Sequence, residues 1–426
     1  MESYIYNHLI KFFNRNQILY HLQYGFRENS STELAVSDMI DTISSDIENK
    51  LVNCSVFIDL AKAFNTVNHT ILLDKLEKYG VRGLAWKLIQ SFLHNRQQYT
   101  LANNHKSTSQ LIDTGVPQGS TLGPLLFLVY INDLPSSTNM QVRLFADDAC
   151  MSLSHKDPTI LEKLVNEELV KVHKWLDMNK LFINYSKSCF LLFTNRKISH
   201  KLDLKLGSET LIRKPSTKYL GVTLDEKLTW RPHIESIKAK LAKTSYIFYK
   251  LKPLTNSNTL KMLYYAIVYP HLQYCISSWG GAAHYLITKL FRHQKSIVRI
   301  ILNKPRLEST NPLFSQLKLL KLEDIYKFQI SKLVYKTKAQ NSVGTFNKFK
   351  TVSELHHHNT RLAAHSNFFL PHKRTNIGKQ SFSFIGPKFW QDIPDDTKQL
   401  PFNSFKVKVK QLLLEKYADQ DLYVYC

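Results

Sequence analysis

Two adjacent aspartates, Asp147 and Asp148, stand in the stretch "QVRLFADDACMSLS" (141–154), whose other side chains are mostly apolar. Two unit charges about 4 Å apart repel by roughly 4 kcal/mol at an effective dielectric near 20. A fold keeps such a pair at the edge of its core when something opposes the repulsion, and a divalent cation does so. Hard carboxylate oxygens suit Mg²⁺, which binds through one or two carboxylates and completes its shell with substrate phosphates. A third aspartate, Asp59, stands near the end of the apolar run "CSVFIDL" (54–60). One aspartate at a strand end and a pair in a neighbouring turn would form a two-metal site. There, two ions about 4 Å apart activate a hydroxyl and stabilise a leaving pyrophosphate. The same residues have plainer uses: Asp-Asp is a common polar turn, and Asp59 before "LAKAF" is a good helix N-cap.

The string "GVPQGSTLGPLLFLVYINDL" adds a third piece. Gly115, Gly119 and Gly123, with Pro117 and Pro124, make an irregular loop, and glycine lets a backbone approach a ligand closely. Gln118 both donates and accepts hydrogen bonds. As plain structure the string is a helix start, with Ser120 or Thr121 as cap and Pro124 in the first turn.

Positioning these residues requires a sheet. "CSVFIDL" reads as a short buried strand, and 141–154 as strand, tight turn, strand. "HTILLDKLEKYG" and "GLAWKLIQSFLHNR" read as helices punctuated by Gly80 and Gly83. "QYTLANNHKSTSQLIDTG" reads as a hairpin with an Asn-Asn turn, and "PLLFLVYI" as a buried helix. A further helix starts near Asp157 or Thr159, and "FINYSKSCFLLFT" is strand-like. "YLGVTLDEKLTW" reads as a short hairpin with Asp225 and Glu226 in its turn. Strands separated by helices of unequal size predict an α+β sheet with helices on one face up to about residue 228. A basic, mainly helical region follows.

Composition bounds the partners. The chain has 426 residues, 57 Lys plus Arg against 34 Asp plus Glu, and a net charge of +23. Such a surface attracts polyanions, with nucleic acid the first class and an acidic membrane surface the second. The basic residues are spread along the chain, which favours a folded groove over a disordered arm. The five cysteines, Cys54, Cys150, Cys189, Cys275 and Cys426, lie far apart with no CxxC pair. That pattern predicts a reduced intracellular setting, cytoplasm or nucleus, and no disulfide-linked partner. The N-terminus lacks the apolar stretch of a signal peptide, and no apolar run is long enough to span a bilayer.

Taken in order, "QYGFRENSSTELA", "VFIDLAKAFNTVNHTILLDKLEKYG", "GVPQGSTLGPLLFLVYINDLP", "RLFADDA", "WLDMNKLFINYSKS" and "YLGVTLDEKLTW" resemble the reverse transcriptases of non-LTR (LINE-type, jockey-like) retrotransposons. The likeness continues through "YAIVYPHLQYCISSWG", "HNTRLA" and "FIGPKFWQDIP", so it covers almost the whole chain. It implies a right-hand polymerase: partial fingers at 1–55, a palm at 56–228 with a fingers insertion at about 70–115, a helical thumb at 229–305, and a mainly helical tail at 306–426. It implies catalysis and metal binding by Asp59, Asp147 and Asp148, with Asp148 contributing less directly. The cofactor would be two Mg²⁺ ions, with Mn²⁺ as a substitute. The partners would be an RNA template, a DNA primer and dNTPs. Phe64 matches the family's steric gate against the ribose 2′-OH, the group that separates RNA from DNA; by itself it is an ordinary core aromatic. Arg27 matches the arginine that grips the incoming triphosphate, where a planar guanidinium suits phosphate oxygens. Gln118 and Gly119 match the loop that packs on the incoming nucleotide and template. Lys187 matches a lysine near the triphosphate and by itself is a solvated surface residue.

Two departures stand out. Asn65 and Asn68 replace two aspartates of the family's "AFDTVDH" string, which predicts altered hydrogen bonds rather than lost chemistry. The "YRPISLL"-like fingers segment and the upstream endonuclease do not precede "LIKFFNRNQIL". The alternative reading is therefore an N-terminally truncated, inactive nucleic-acid-binding remnant. His356, His357 and His358 suggest metal by type, but they lack a partner cluster and read as a solvated loop.

Overall fold

The computed structural model describes residues 2–339, 349–351, 354 and 368–419; the histidine run 356–358 and "HNTRLA" lie outside them. Two compact units form, residues 1–35 with 50–214, and residues 36–49 with 215–426.

The first unit begins with α1 (Glu2–Arg15), after which α2 (Thr32–Glu48) carries the chain out of it. Ser31 caps α2, its Oγ accepting from Leu34 N at 3.2 Å. Then come β1 (Val52–Ile58), α3 (His69–Lys78) and α4 (Gly83–Leu93). The segment that follows is a long hairpin. β2 (Arg96–Gln98) pairs with β5 (Gln110–Ile112), and β3 (Leu101–Ala102) with β4 (His105–Lys106) at the tip. Asn103 and Asn104 form the tip with φ +50° and +63°, the left-handed pair that a type I′ turn needs and asparagine tolerates.

Helix α5 (Leu122–Ile131) is buried at nine of its ten positions. A helix apolar all round belongs inside, and α5 lies in the main core with one face of the sheet. The sheet contains β6 (Gln141–Phe145), β7 (Asp148–His155) and β8 (Cys189–Phe193); the short β9 (Lys205–Leu206) and β10 (Glu209–Thr210) pair apart, and β11 (Ile212–Arg213) joins its edge. Its order is β11-β8-β1-β7-β6, antiparallel except for β11 against β8. Cys54, Val56 and Ile58 face the core with Val142, Leu144, Met151, Phe190 and Leu192. The other face of β1 carries Asn53, Ser55 and Phe57, which are also buried. β1 is thus buried on both faces, although Asn53 and Ser55 keep a polar alternation over its first half. Helix α6 (Pro158–Met178) buries Leu161, Val165, Leu169, Val172 and Leu176 at helical spacing. Asp157 caps it, its side chain accepting from Thr159 N at 2.8 Å.

The second unit is helical beyond one hairpin, with helices over Arg231–Leu251, Ser257–Leu263, His284–Ile301, Leu322–Ala339, Phe382–Gln391 and Phe402–Asp419. The hairpin pairs Ser216–Tyr219 with Val222–Asp225. Its turn is Leu220–Gly221, with φ +45° and +81°, and not the expected Asp225–Glu226. Asp225 instead gathers the N–H groups of Thr229 and Trp230, each at 2.9 Å, ahead of the next helix. The later segment is tied to 36–49 by carboxylates. Asp41 accepts from Phe382 N (2.7 Å) and Ser383 N (2.9 Å), and Glu48 from Arg374 N (3.0 Å) and Thr375 N (2.7 Å). Among the described residues no disulfide forms, and no helix is long and apolar enough to cross a membrane.

Candidate active site

The Asp147–Asp148 pair sits on the tightest turn the sheet allows. Phe145 pairs with Asp148 across β6 and β7, so Ala146 and Asp147 alone make the turn. Ala146 has φ +55°, a left-handed conformation in which a two-residue hairpin prefers glycine. A strap of residues 22–25 holds it there. Tyr24 N donates to Leu144 O at 2.8 Å, and Leu144 N donates to Leu22 O at 3.0 Å. The buried Gln23 Oε1 accepts from both Gly25 N (2.8 Å) and Ala146 N (3.0 Å). Gly25 lies so close to the turn that a Cβ there would meet Ala146 N at 2.3 Å. Neither Gln23 nor Gly25 stands out in the sequence. Their one signal was position, four and two residues before Arg27 in "QYGFR".

Asp59 follows directly on β1. The register pairs Ile58 with Ala149, so the next residues on the two strands, Asp59 and Asp148, come level at one end of the sheet. Asp59 is not a helix cap. The chain after it turns through Lys62 at φ +50° into a single 3-10 turn, Ala63–Asn65. Its backbone is fixed by the loop before β8: Asn184 N donates to Asp59 O at 2.8 Å, and Asp59 N donates to Ser188 Oγ at 3.2 Å. From that loop Lys187 sets its Nζ 3.7 Å from Asp59 Oδ2. An ion pair this exposed adds little stability, but it places a cation at the carboxylate.

The electrostatics show that the carboxylates share one field. The Asp147 carboxyl is pushed above the ordinary range by burial first and then by the Asp59 charge. Asp148 is exposed as a residue, yet lost solvation and then the charges of Asp147 and Asp59 raise its carboxyl too. Like charges and desolvation both disfavour the ionised form. A hard divalent cation reverses both effects, so this donor set fits one. Among the described residues no group of three or more His, Cys, Asp or Glu side chains is placed to hold a metal ion by itself. The arrangement offers instead a few carboxylate oxygens with room for oxygens from a substrate, the manner in which Mg²⁺ is usually held.

A second cluster lies on the turn after Asp59. Phe64 stacks on Phe127 of α5, with centroids 4.5 Å apart, and meets Phe26 edge-on at 6.3 Å. It is packed against the core and still half-buried. The 115–119 loop lies over this turn. Val116 N donates to Phe64 O at 2.9 Å, and Gly115 N to Val67 O at 2.8 Å. A Cβ on Gly115, at φ +84°, would strike Asn65 O at 2.8 Å. Gln118 is exposed and donates through Nε2 to Asn65 Oδ1 at 2.9 Å, while Gly119 (φ +86°) faces open space. Asn68 caps α3, accepting from Ile71 N at 3.1 Å. Both asparagines thus serve as hydrogen-bonding groups. Arg27 donates through Nη1 to Tyr20 O at 2.9 Å, and burial lowers its pKa. No carboxylate pairs with it among the described residues, so most of its donors remain open to an anion.

The five-stranded sheet thus presents carboxylates at the end of its central strand and in the adjacent hairpin turn. Residues 1–224 match the family described as "Reverse transcriptase (RNA-dependent DNA polymerase)", and the chain belongs to that family. It is 28% identical over 336 residues to the "RNA-directed DNA polymerase from mobile element jockey" of Drosophila melanogaster, covering 76% of this chain and 36% of that protein. It is 29% identical over 290 residues to the "Probable RNA-directed DNA polymerase from transposon X-element" of the same fly, covering 66% and 31%. The chain thus spans about a third of the length of these relatives. Among solved structures, the apo telomerase of Candida tropicalis aligns with 11% identity and a TM-score of 0.40, over 74% of this chain and 52% of that one.

Proposed function

We propose that this chain carries the polymerase activity of a non-LTR retrotransposon reverse transcriptase. The reaction is attack of a DNA primer 3′-hydroxyl on the α-phosphate of a dNTP, directed by an RNA template and releasing pyrophosphate. One observation carries the reading: strand register sets Asp59 level with Asp148 beside the Asp147 turn, and the Asp59 charge adds to burial in raising the proton affinity of both Asp147 and Asp148. Asp59 and Asp147 are the principal ligands for two Mg²⁺ ions, or Mn²⁺, and Asp148 supports them. When bound, the ions would lower the pKa of the attacking hydroxyl and neutralise charge on the leaving pyrophosphate. The protein's part is positioning and fixed charge.

Phe64, held by Phe127, sets a ring against the sugar and excludes a 2′-hydroxyl. Arg27 and Lys187 hold the triphosphate, and Gln118 with Gly119 forms the floor under the base pair. We assign 1–55 to partial fingers, 56–228 to the palm with its fingers insertion, and 229–305 to the thumb. In that last segment basic and aromatic side chains interleave: Lys250 lies 5.6 Å over Tyr246, and Arg231 donates to Tyr285 Oη at 2.8 Å. Cations and ring faces together suit a nucleic-acid backbone and its bases.

The test is primer extension on an RNA template with dNTPs and Mg²⁺, run beside Asp147→Ala. Extension that the substitution abolishes supports the reading. Template binding without extension by the unmutated chain contradicts it and leaves a binding remnant.

A further inference from the structure

We infer that Phe26 is a positioning residue for nucleotide selection: its ring, hung from the strap that pins the Ala146–Asp147 turn, holds the Phe64 ring in the pose that meets the sugar. This rests on the polymerase reading above and deepens it. The observation is an aromatic side chain where the backbone disfavours one. Phe26 stands at φ +52°, a left-handed conformation in which glycine or asparagine is usual and a bulky residue is an outlier. Phe26 is also 51% exposed. A side chain strained in its backbone and half in water contributes little to a core, and strain of this kind collects at functional sites. Its ring meets that of Phe64, with centroids 6.3 Å apart and planes at 84°, a favourable edge-to-face pair.

The backbone on either side fixes where the Phe26 ring goes. Gly25 is packed against Ala146 N, and Gln23 Oε1 accepts from both of those residues, so residue 26 leaves from a chain tied to the carboxylate turn. The residue after it is anchored as well, Arg27 Nη1 donating to Tyr20 O at 2.9 Å. Phe64 needs such a partner. It stacks on Phe127, with centroids 4.5 Å apart and planes at 24°, and it stays half-buried. A single stacked neighbour lets a ring slide or swing about its χ1; a second ring at right angles removes that freedom. An apolar wall rejects an added hydroxyl only weakly, so sugar selection depends on a ring that cannot retreat. Through Phe26 the strap sets the carboxylate turn and the sugar wall in one frame.

The test is isothermal titration of a dNTP, and of the matching rNTP, into the full chain bound to an RNA template with a dideoxy-ended DNA primer in Mg²⁺, so that no bond forms. Wild-type protein should bind the dNTP more tightly. Glycine takes φ +52° without strain, so Phe26→Gly deletes the ring and keeps the backbone path. It should lower the preference about tenfold, by tightening rNTP binding, with dNTP affinity held within about threefold. Phe26→Leu keeps an apolar side chain and loses the flat ring, so it should shift the preference the same way even if Phe26→Gly folds poorly. Phe26→Tyr should keep the preference. In a Phe64→Val background Phe26→Gly should change the preference less than about twofold, because residues that act through one another are not additive. An equal effect in both backgrounds would overturn the positioning role. So would a wild-type preference in folded Phe26→Gly and Phe26→Leu, or a wild-type chain with no preference to lose. Because no extension is measured, a chain that selects dNTP through Phe26 but never polymerises would sink the polymerase reading and leave this inference standing; extension with a sugar preference indifferent to Phe26 would do the reverse.

Discussion

Gly25→Ala should damage the active site without touching a carboxylate. The new Cβ would lie 2.3 Å from Ala146 N, 3.0 Å from the Phe145 carbonyl carbon and 3.1 Å from Ala146 Cα, where ordinary contact begins near 3.4 Å. All three atoms are backbone, and the turn is already pinned by Gln23, so no flexible side chain can give way. A deficit of about 1 Å must then be met by moving the strap or the turn. Overpacking of this kind costs about 1–3 kcal/mol, or roughly 2–12 °C in Tm for a unit of some 200 residues. A displacement of about 1 Å at reacting groups can cost on the order of 100-fold in rate. Gly25→Ala should therefore lower kcat for single-nucleotide incorporation about 100-fold while leaving primer–template affinity within about twofold. Stopped-flow or quench-flow incorporation beside anisotropy binding separates the two. A variant with wild-type kcat and wild-type Tm would refute the claim that the strap sets the position of Asp147 and Asp148.

Three other substitutions probe the same arrangement. Asp147→Asn should abolish extension yet raise Tm in EDTA at neutral pH. Burial and then the Asp59 charge raise the Asp147 carboxyl above its ordinary 3.8, so between 3.8 and the raised value the folded state keeps a proton that the unfolded state has lost. Wild-type protein accordingly gains stability as pH falls through the raised value, and the advantage of the variant should shrink toward pH 4; a variant less stable than wild type at pH 7 would contradict this. Phe64→Val should admit ribonucleotides, measured as the ratio of rNTP to dNTP incorporation, and lose about 1 kcal/mol from the stack on Phe127; an unchanged ratio removes the gate. Asn68→Ala deletes the α3 cap and should cost about 1 kcal/mol in chemical denaturation, with extension rates unchanged.

Local pattern carried much of the fold. The helices at His69–Lys78 and Gly83–Leu93, the buried Leu122–Ile131 helix and the Asn103–Asn104 turn all follow from periodicity, glycine punctuation and turn chemistry. Asp59 and the Asp147–Asp148 turn are legible as a candidate site because like charges beside apolar runs ask for a counter-charge. What pattern could not show was set by distant contacts. Gln23 reads as one more polar residue until Ala146 N reaches it. Gly25 reads as a loop glycine until the turn closes on it. Asp59 had the sequence of a helix cap, but the loop at 182–188 claims its backbone first. In the Ser216–Asp225 hairpin, the polar Asp225–Glu226 pair looked like the turn. Positive φ is instead met at Leu220–Gly221, five residues earlier than polarity suggests. The later helices were hardest to read because carboxylates on 36–49, more than 300 positions away, anchor them.

Mn²⁺ binding measured by electron paramagnetic resonance gives the most direct test of the shared carboxylate site. The sample is a complex with primer–template ended by a dideoxynucleotide and the next dNTP. Wild-type protein should deplete the free Mn²⁺ signal, and Asp59→Asn and Asp147→Asn should each restore most of it. If either variant alone binds Mn²⁺ as wild type does, the two aspartates do not serve one metal centre.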